Sequence, residues 1–226
     1  MVHSYSIIIS HFIEKEIKKM ITKPKNYDSA KPMTQGGNRL IPGGYICEIK
    51  ATDYVQASGS AGARIIIHYD IAEGDFKDYW ANQYKNNTAE DKKWKGNYTL
   101  WLPDDSGDEK DQRANRVLKT FVEAVEESNA GYHWDWDEAK LKGKKLGLII
   151  RNKFWSFNGK TGFAPEVNFC VTVDKIKNGD FTVPDDYIPN NLMGEYEASK
   201  GTPMEAPTDG FMSIPDGIEG SFLPFK

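Results

Sequence analysis

A mainly β chain folded as a five-stranded barrel with one capping helix is what the sequence predicts, on three observations. Residues 106–131, SGDEKDQRANRVLKTFVEAVEESNAG, are the one long amphipathic stretch: Ala114, Val117, Leu118, Phe121, Val122 and Val125 recur three and four apart and share one helical face. Almost every other periodic run alternates, three runs before this helix and two after it. The turns joining the runs carry the glycines of hairpins, Glu73-Gly74-Asp75 and Asn158-Gly159. Three strands, a helix and two strands is the order of the five-stranded Greek-key barrel called the OB-fold. Its sheet face and loops take oligonucleotides or oligosaccharides.

The elements follow in chain order. Residues 1–39 read as a polar leader, broken by Pro24, Pro32, Gly36 and Gly37. Within it, Glu14-Lys15-Glu16 is encoded by GAR-AAR-GAR, which accommodates a purine-rich ribosome-binding site a few codons before Met20. Translation is therefore expected to start at Met20, with residues 1–19 upstream sequence read in frame. The competing reading of residues 1–19 is a partner-binding helix.

The predicted OB-fold domain spans residues 40–180. Its first strand is 44–52, with Tyr45, Cys47 and Ile49 on one side. The flexible linker 56–62 leads to strand two, 64–71, where Ile65, Ile67, Tyr69 and Ile71 oppose Arg64, Ile66, His68 and Asp70. Strand three is expected at 76–84. A long connection, 86–105, includes Tyr98, Leu100 and Leu102 in alternation and is read as partly an extra strand. The helix starts in a capping box, Ser106 with Glu109, and stops at Gly131. A weaker cap, Asp135 with Glu138, opens a short turn that ends at Gly143. Strand four runs over 145–154. Strand five runs over 166–176, with Val167, Phe169, Val171 and Val173 on one side. From Phe181 the periodicity ends, and residues 181–226 are expected to be an acidic disordered tail.

Charge and composition bound the function. The net charge is -4, but residues 181–226 carry -6, so the preceding body is at +2. A body so weakly basic implies few phosphate contacts and favours stacking over ion pairing. Cys47 and Cys170 both lie inside predicted strands and are expected to be reduced, which points to the cytoplasm. No apolar run approaches the roughly 18 residues of a membrane span.

No constellation for catalysis, cofactor or metal is present in the pattern. Gly159-Lys160-Thr161 echoes the end of a phosphate-binding loop, but Phe154 stands where its leading glycine belongs, and the setting is strand-hairpin-strand. The carboxylate pairs Asp104/Asp105 and Asp135/Asp137 read as turn and cap residues. The four His and two Cys lack zinc spacing. A non-enzymatic binding protein without cofactor is the expectation.

Aromatic and basic residues interleave in three places, the pattern that sequence-tolerant single-strand binding requires. Lys77, Tyr79, Trp80 and Tyr84 lie on the predicted third strand. Lys92, Lys93, Trp94, Lys95, Tyr98 and Trp101 follow in the long connection, and of these Lys93, Trp94 and Lys95 are chosen as DNA contacts. Arg151, Lys153, Trp155, Phe157 and Lys160 surround the last hairpin. Trp94, between lysines, and Trp155, beside the hairpin apex, are read as the platforms. Rival readings are a carbohydrate-binding barrel using the same rings, and a host-interaction protein acting through its acidic tail.

The runs IPGGYICEI, YDIAEGDFKDYW, FVEAVEESNAGYHWDWDEAKLKGKKLGL and VDKIKNGDF together resemble a family of small proteins from phages of low-GC Gram-positive bacteria. These are described as OB-fold single-stranded DNA-binding proteins of the replication and recombination region. The resemblance covers residues 40–184 and implies single-stranded DNA as partner in the host cytoplasm. The chain end is similar to the acidic tip of bacterial single-stranded DNA-binding proteins, with Asp216, Glu219, Leu223, Pro224 and Phe225 as the expected handle for replication proteins. It departs from that pattern in its sparse acids and in Lys226 after Phe225.

Overall fold

Five of the described segments alternate apolar and polar residues, and in the computed structural model, which describes residues 23–28 and 39–200, these pair into one antiparallel sheet. The strands are β1 (Gly43–Val55), β2 (Arg64–Ile71), β3 (Asn97–Trp101), β4 (Lys145–Phe157) and β5 (Lys160–Val171), in the order β3-β2-β1-β4-β5. The helices are α1 (Tyr79–Asn86), α2 (Glu109–Ser128), α3 (Val173–Asn178) and α4 (Met193–Ser199). The chain divides at Asn38 into two units; in the first, residues 24–27 close a turn through Tyr27 N–H donating to the Pro24 carbonyl.

The sheet is open. Its edge strands, β3 and β5, are not paired to one another, so the closed barrel expected from the strand count is not formed. β1 pairs with β4 over residues 43–48 and with β2 over residues 47–55, with a bulge at Lys50. A bulge strengthens local twist, and here it marks where β1 passes from one neighbour to the other. The inner face carries Cys47, Ile49, Ile65, Ile67, Tyr69, Leu100, Leu146, Leu148, Ile150 and Cys170, all buried. Against it α2 sets Leu118, Phe121 and Val125, so this helix touches β3, β4 and β5 and spans the gap between the two edges. Across the same gap the Tyr98 hydroxyl of β3 and the Cys170 thiol of β5 share a side-chain hydrogen bond, and burial pushes both groups up, Cys170 to about 12.

Several local expectations change. The stretch 76–84 is not a strand. Phe76, Trp80 and Tyr84 are four apart, a spacing that lies on one side of a strand and also on one face of a helix. Asp70 decides between them: its buried carboxylate accepts hydrogen bonds from the N–H groups of Ile71, Trp80 and Ala81 and caps α1. The third strand is instead β3, within the long connection. The α2 cap is Asp108, which accepts from Asp111 N–H, rather than Ser106 with Glu109, and the cap of the turn Glu138–Leu141 is Asp137 rather than Asp135. In β5 an extra residue, Asn168, bulges between Phe169, paired with Ile149, and Val167, paired with Ile150. That shift turns Cys170 inward and leaves Phe169 exposed.

The outer face is covered on one half only. Gly44 and Gly147 lie bare beneath Phe181 and Ile176, and a Cβ on Gly44 would stand 2.5 Å from the Phe181 ring. The polypeptide beyond Phe181 stays structured as far as Lys200, against the expectation of a disordered tail from 181. Tyr187 bridges Lys153 in parallel, with its N–H donating to the Asn152 carbonyl and its carbonyl accepting from Phe154 N–H. Tyr196 of α4 packs edge-on against Phe154 and Phe163. Residues 152–165, the part of the β4-β5 hairpin extending past β1, gain their cover from this segment. Residues 201–226, with the predicted handle Asp216, Glu219, Leu223, Pro224 and Phe225, lie outside the described residues, as do residues 1–22.

Candidate nucleic-acid interface

The other half of the outer face, on β1, β2 and β3, is half-exposed. Strand alternation puts Arg64, Ile66 and His68 of β2 on it, opposite the buried Ile65, Ile67 and Tyr69. The register aligns three rows across the strands: Val55–Arg64–Trp101, Asp53–Ile66–Thr99 and Ala51–His68–Asn97. In the first row the Arg64 guanidinium sits 5.2 Å over the Trp101 ring, a cation–π pair that holds both groups on the surface. In the third row His68 places its ring nitrogens at Asn97 Oδ1 and Asp53 Oδ2.

Beyond the third row lies an aromatic cluster. Trp94 donates from Nε1 to the carbonyls of Tyr69 and Gly96, which ties it to the end of the β2-β3 ladder. Its ring meets Tyr84 of α1 at 6.0 Å, and the Lys92 ammonium stands 4.7 Å over the Tyr84 ring. Lys93 and Lys95 line a shallow cleft beside them with Gln83 and Asn87. Because α1 is capped by Asp70 at the end of β2, the same carboxylate that fixes the helix also fixes where Tyr84 is presented.

The predicted contacts therefore divide. Tyr84, Trp94, Lys93 and Lys95 come together here, and Lys77 is exposed in the turn before α1. Tyr79 and Trp80 are buried in the core, where the Tyr79 hydroxyl accepts from Leu40 N–H, so neither is a platform. Trp155 is buried too, its ring packed on Gly162, which corrects its reading as a platform. Arg151 and Lys153 both pair with Glu166, and Tyr187 lies 4.4 Å from the Arg151 guanidinium. Only Phe157 and Lys160, at the hairpin tip, are exposed in that cluster. The last hairpin thus does not join the face as expected: Arg151 and Lys153 are drawn to Glu166 beneath Tyr187, which leaves Lys160 at the tip as its exposed cation.

Trp94, read as a platform, is half-buried, with part of its ring packed on the core. Arg64 and His68 were missed as contacts although their alternation was plain in strand two; with the third strand placed at 76–84, nothing marked their side of the sheet as the open one. Among the described residues no cluster of His, Cys, Asp or Glu suits a metal, and no helix is long and apolar enough to cross a membrane. No protein-family model matches the chain, and no curated protein matches it.

Proposed function

We propose that this protein binds single-stranded DNA, without catalysis, along the open β1-β2-β3 face. The observation that carries the reading is the pairing of an aromatic ring with a cation on the half-exposed sheet face, Arg64 on Trp101, and again beside the end of the β2-β3 ladder, Lys92 on Tyr84 next to Trp94. Rows of one strand repeat about every 7 Å, so successive rows suit successive unstacked nucleotides. Rings take bases and cations take phosphates, which is affinity with little regard to sequence. Order β3-β2-β1-β4-β5 supports an OB-type architecture left open between the third and fifth strands, and in that architecture strands two and three carry the ligand. The resemblance to phage single-stranded DNA-binding proteins supports a role in phage replication or recombination, with the chain end as a handle for partner proteins.

The test is tryptophan fluorescence during titration with a T-rich single strand, a duplex and a soluble glucan. Saturable quenching by the single strand, weakening as salt rises, is expected. A change with the glucan alone supports the carbohydrate reading, and no change with any of the three at low salt removes both.

A further inference from the structure

We propose that Asp53 reads a guanine base on the β1-β2-β3 face, with His68 and Asn97 as the residues that hold it in place; this rests on the reading of that face as a single-strand track. The starting point is a misfit. A carboxylate in the middle of a phosphate-binding track repels the ligand's backbone, and Asp53, with 65% of its side chain exposed, occupies the middle row. Exposed ion pairs contribute little to stability, so pairing with His68 does not by itself account for its place there.

The carboxylate is also held. Asn97 Nδ2 donates to the Trp94 carbonyl at 3.0 Å, which turns Asn97 Oδ1 toward His68 Nδ1 at 2.6 Å. His68 Nε2 then meets Asp53 Oδ2 at 2.8 Å. This chain crosses three strands, begins at the aromatic cluster and leaves Asp53 Oδ1 without a hydrogen bond among the described residues. Both ring nitrogens of His68 are engaged, so it positions Asp53 and has no nitrogen left to act on a ligand.

A fixed, acceptor-only group selects for adjacent donors. Guanine presents N1–H and the N2 amino group side by side, a match for one carboxylate. Thymine offers one N3–H between two carbonyl oxygens, which the carboxylate repels. Cytosine and adenine each offer an amino group beside an acceptor nitrogen. The Trp101 row is the neighbouring one, about 7 Å along the strand, so a ring stacked there directs its edge toward Asp53.

The full chain is titrated with a T-rich oligonucleotide and with versions carrying guanine, inosine or cytosine at every third position, binding being read by anisotropy of a labelled strand. The guanine strand is expected to bind about tenfold tighter than the T-rich strand. Inosine, which lacks the N2 amino group, should fall between them, and cytosine should match thymine. Asp53→Asn should bring all four strands to one common affinity, and His68→Phe should reduce the guanine advantage, both with an unchanged melting temperature. Equal binding of all four strands by the wild-type chain, or an undiminished guanine advantage in Asp53→Asn, overturns the inference and leaves the track intact. Failure of every strand to bind overturns the track and the inference together.

Discussion

Replacing Asp70 tests whether one carboxylate converts the stretch after β2 from strand to helix. Asp70 is fully buried and accepts three backbone N–H groups, those of Ile71 at 2.9 Å, Trp80 at 2.9 Å and Ala81 at 3.0 Å. In Asp70→Ala all three donors lose their acceptor inside the protein, and each costs about 1 to 3 kcal/mol unless water replaces it. Allowing Ala81, at the edge, to rehydrate, the expected loss is about 4 kcal/mol. At roughly 2 to 4 °C per kcal/mol for a domain of this size, the melting temperature should fall by roughly 8 to 16 °C. Asp70→Asn keeps one acceptor oxygen and points an amino group at a donor, so it should fall between Ala and wild type. Thermal unfolding followed by circular dichroism measures both. A melting temperature for Asp70→Ala within about 2 °C of wild type would show that α1 forms from its own sequence and that the cap is incidental. Since α1 presents Tyr84, loss of the cap should weaken single-strand binding as well.

Three further outcomes are expected. Trp101→Ala should weaken binding to a T-rich strand by about tenfold with little change in melting temperature, whereas Trp155→Ala should lower stability by about 3 to 5 kcal/mol and spare binding; the opposite assignment in binding and melting assays would exchange platform and core. Ending the chain after Lys200 should preserve the melting temperature, but ending it after Asp180 should lower it by several degrees, because Phe154 and Phe163 lose Tyr196; equal melting of the two truncations would count against that packing. Stability should decline as pH rises from about 9 towards 12. Burial pushes the Cys170 thiol and the Tyr45 hydroxyl up to about 12, so the native state keeps protons that the unfolded chain releases once its ordinary values are passed. A denaturant midpoint that stays constant between pH 8 and pH 11 would contradict this.

Periodicity alone located the long helix and the inward sides of β1, β2 and β4, because alternation and the three-four repeat report burial directly. Tyr45, Cys47 and Ile49, then Ile65, Ile67, Tyr69 and Ile71, each share the side on which alternation groups them. The candidate site was legible only in part. Aromatic rings and lysines are named by the sequence, yet whether a ring is platform or core depends on what stands opposite it. Trp80 has Tyr69 and Tyr79 against it and Trp155 has Gly162, whereas Trp101 stays half-exposed beside Arg64. Arg151 and Lys153 look like cations for phosphate until Glu166 is seen across the hairpin and Tyr187 above it.

What the sequence determined by itself is therefore what repeats along the chain: the runs of β1, β2, β4 and β5 with the long helix among them, the weakly basic body and the acidic balance of the chain end. Only the tertiary structure decided what depends on residues remote in sequence. Asp70 selects helix over strand ten residues away, the bulge at Asn168 reverses which side of β5 is buried, and residues 181–200 find their order on the β4-β5 hairpin rather than in any pattern of their own. Each of these turns on a contact between segments whose local preferences are ambiguous, and an ambiguous segment takes the conformation that its neighbour's hydrogen bonds and packing complete.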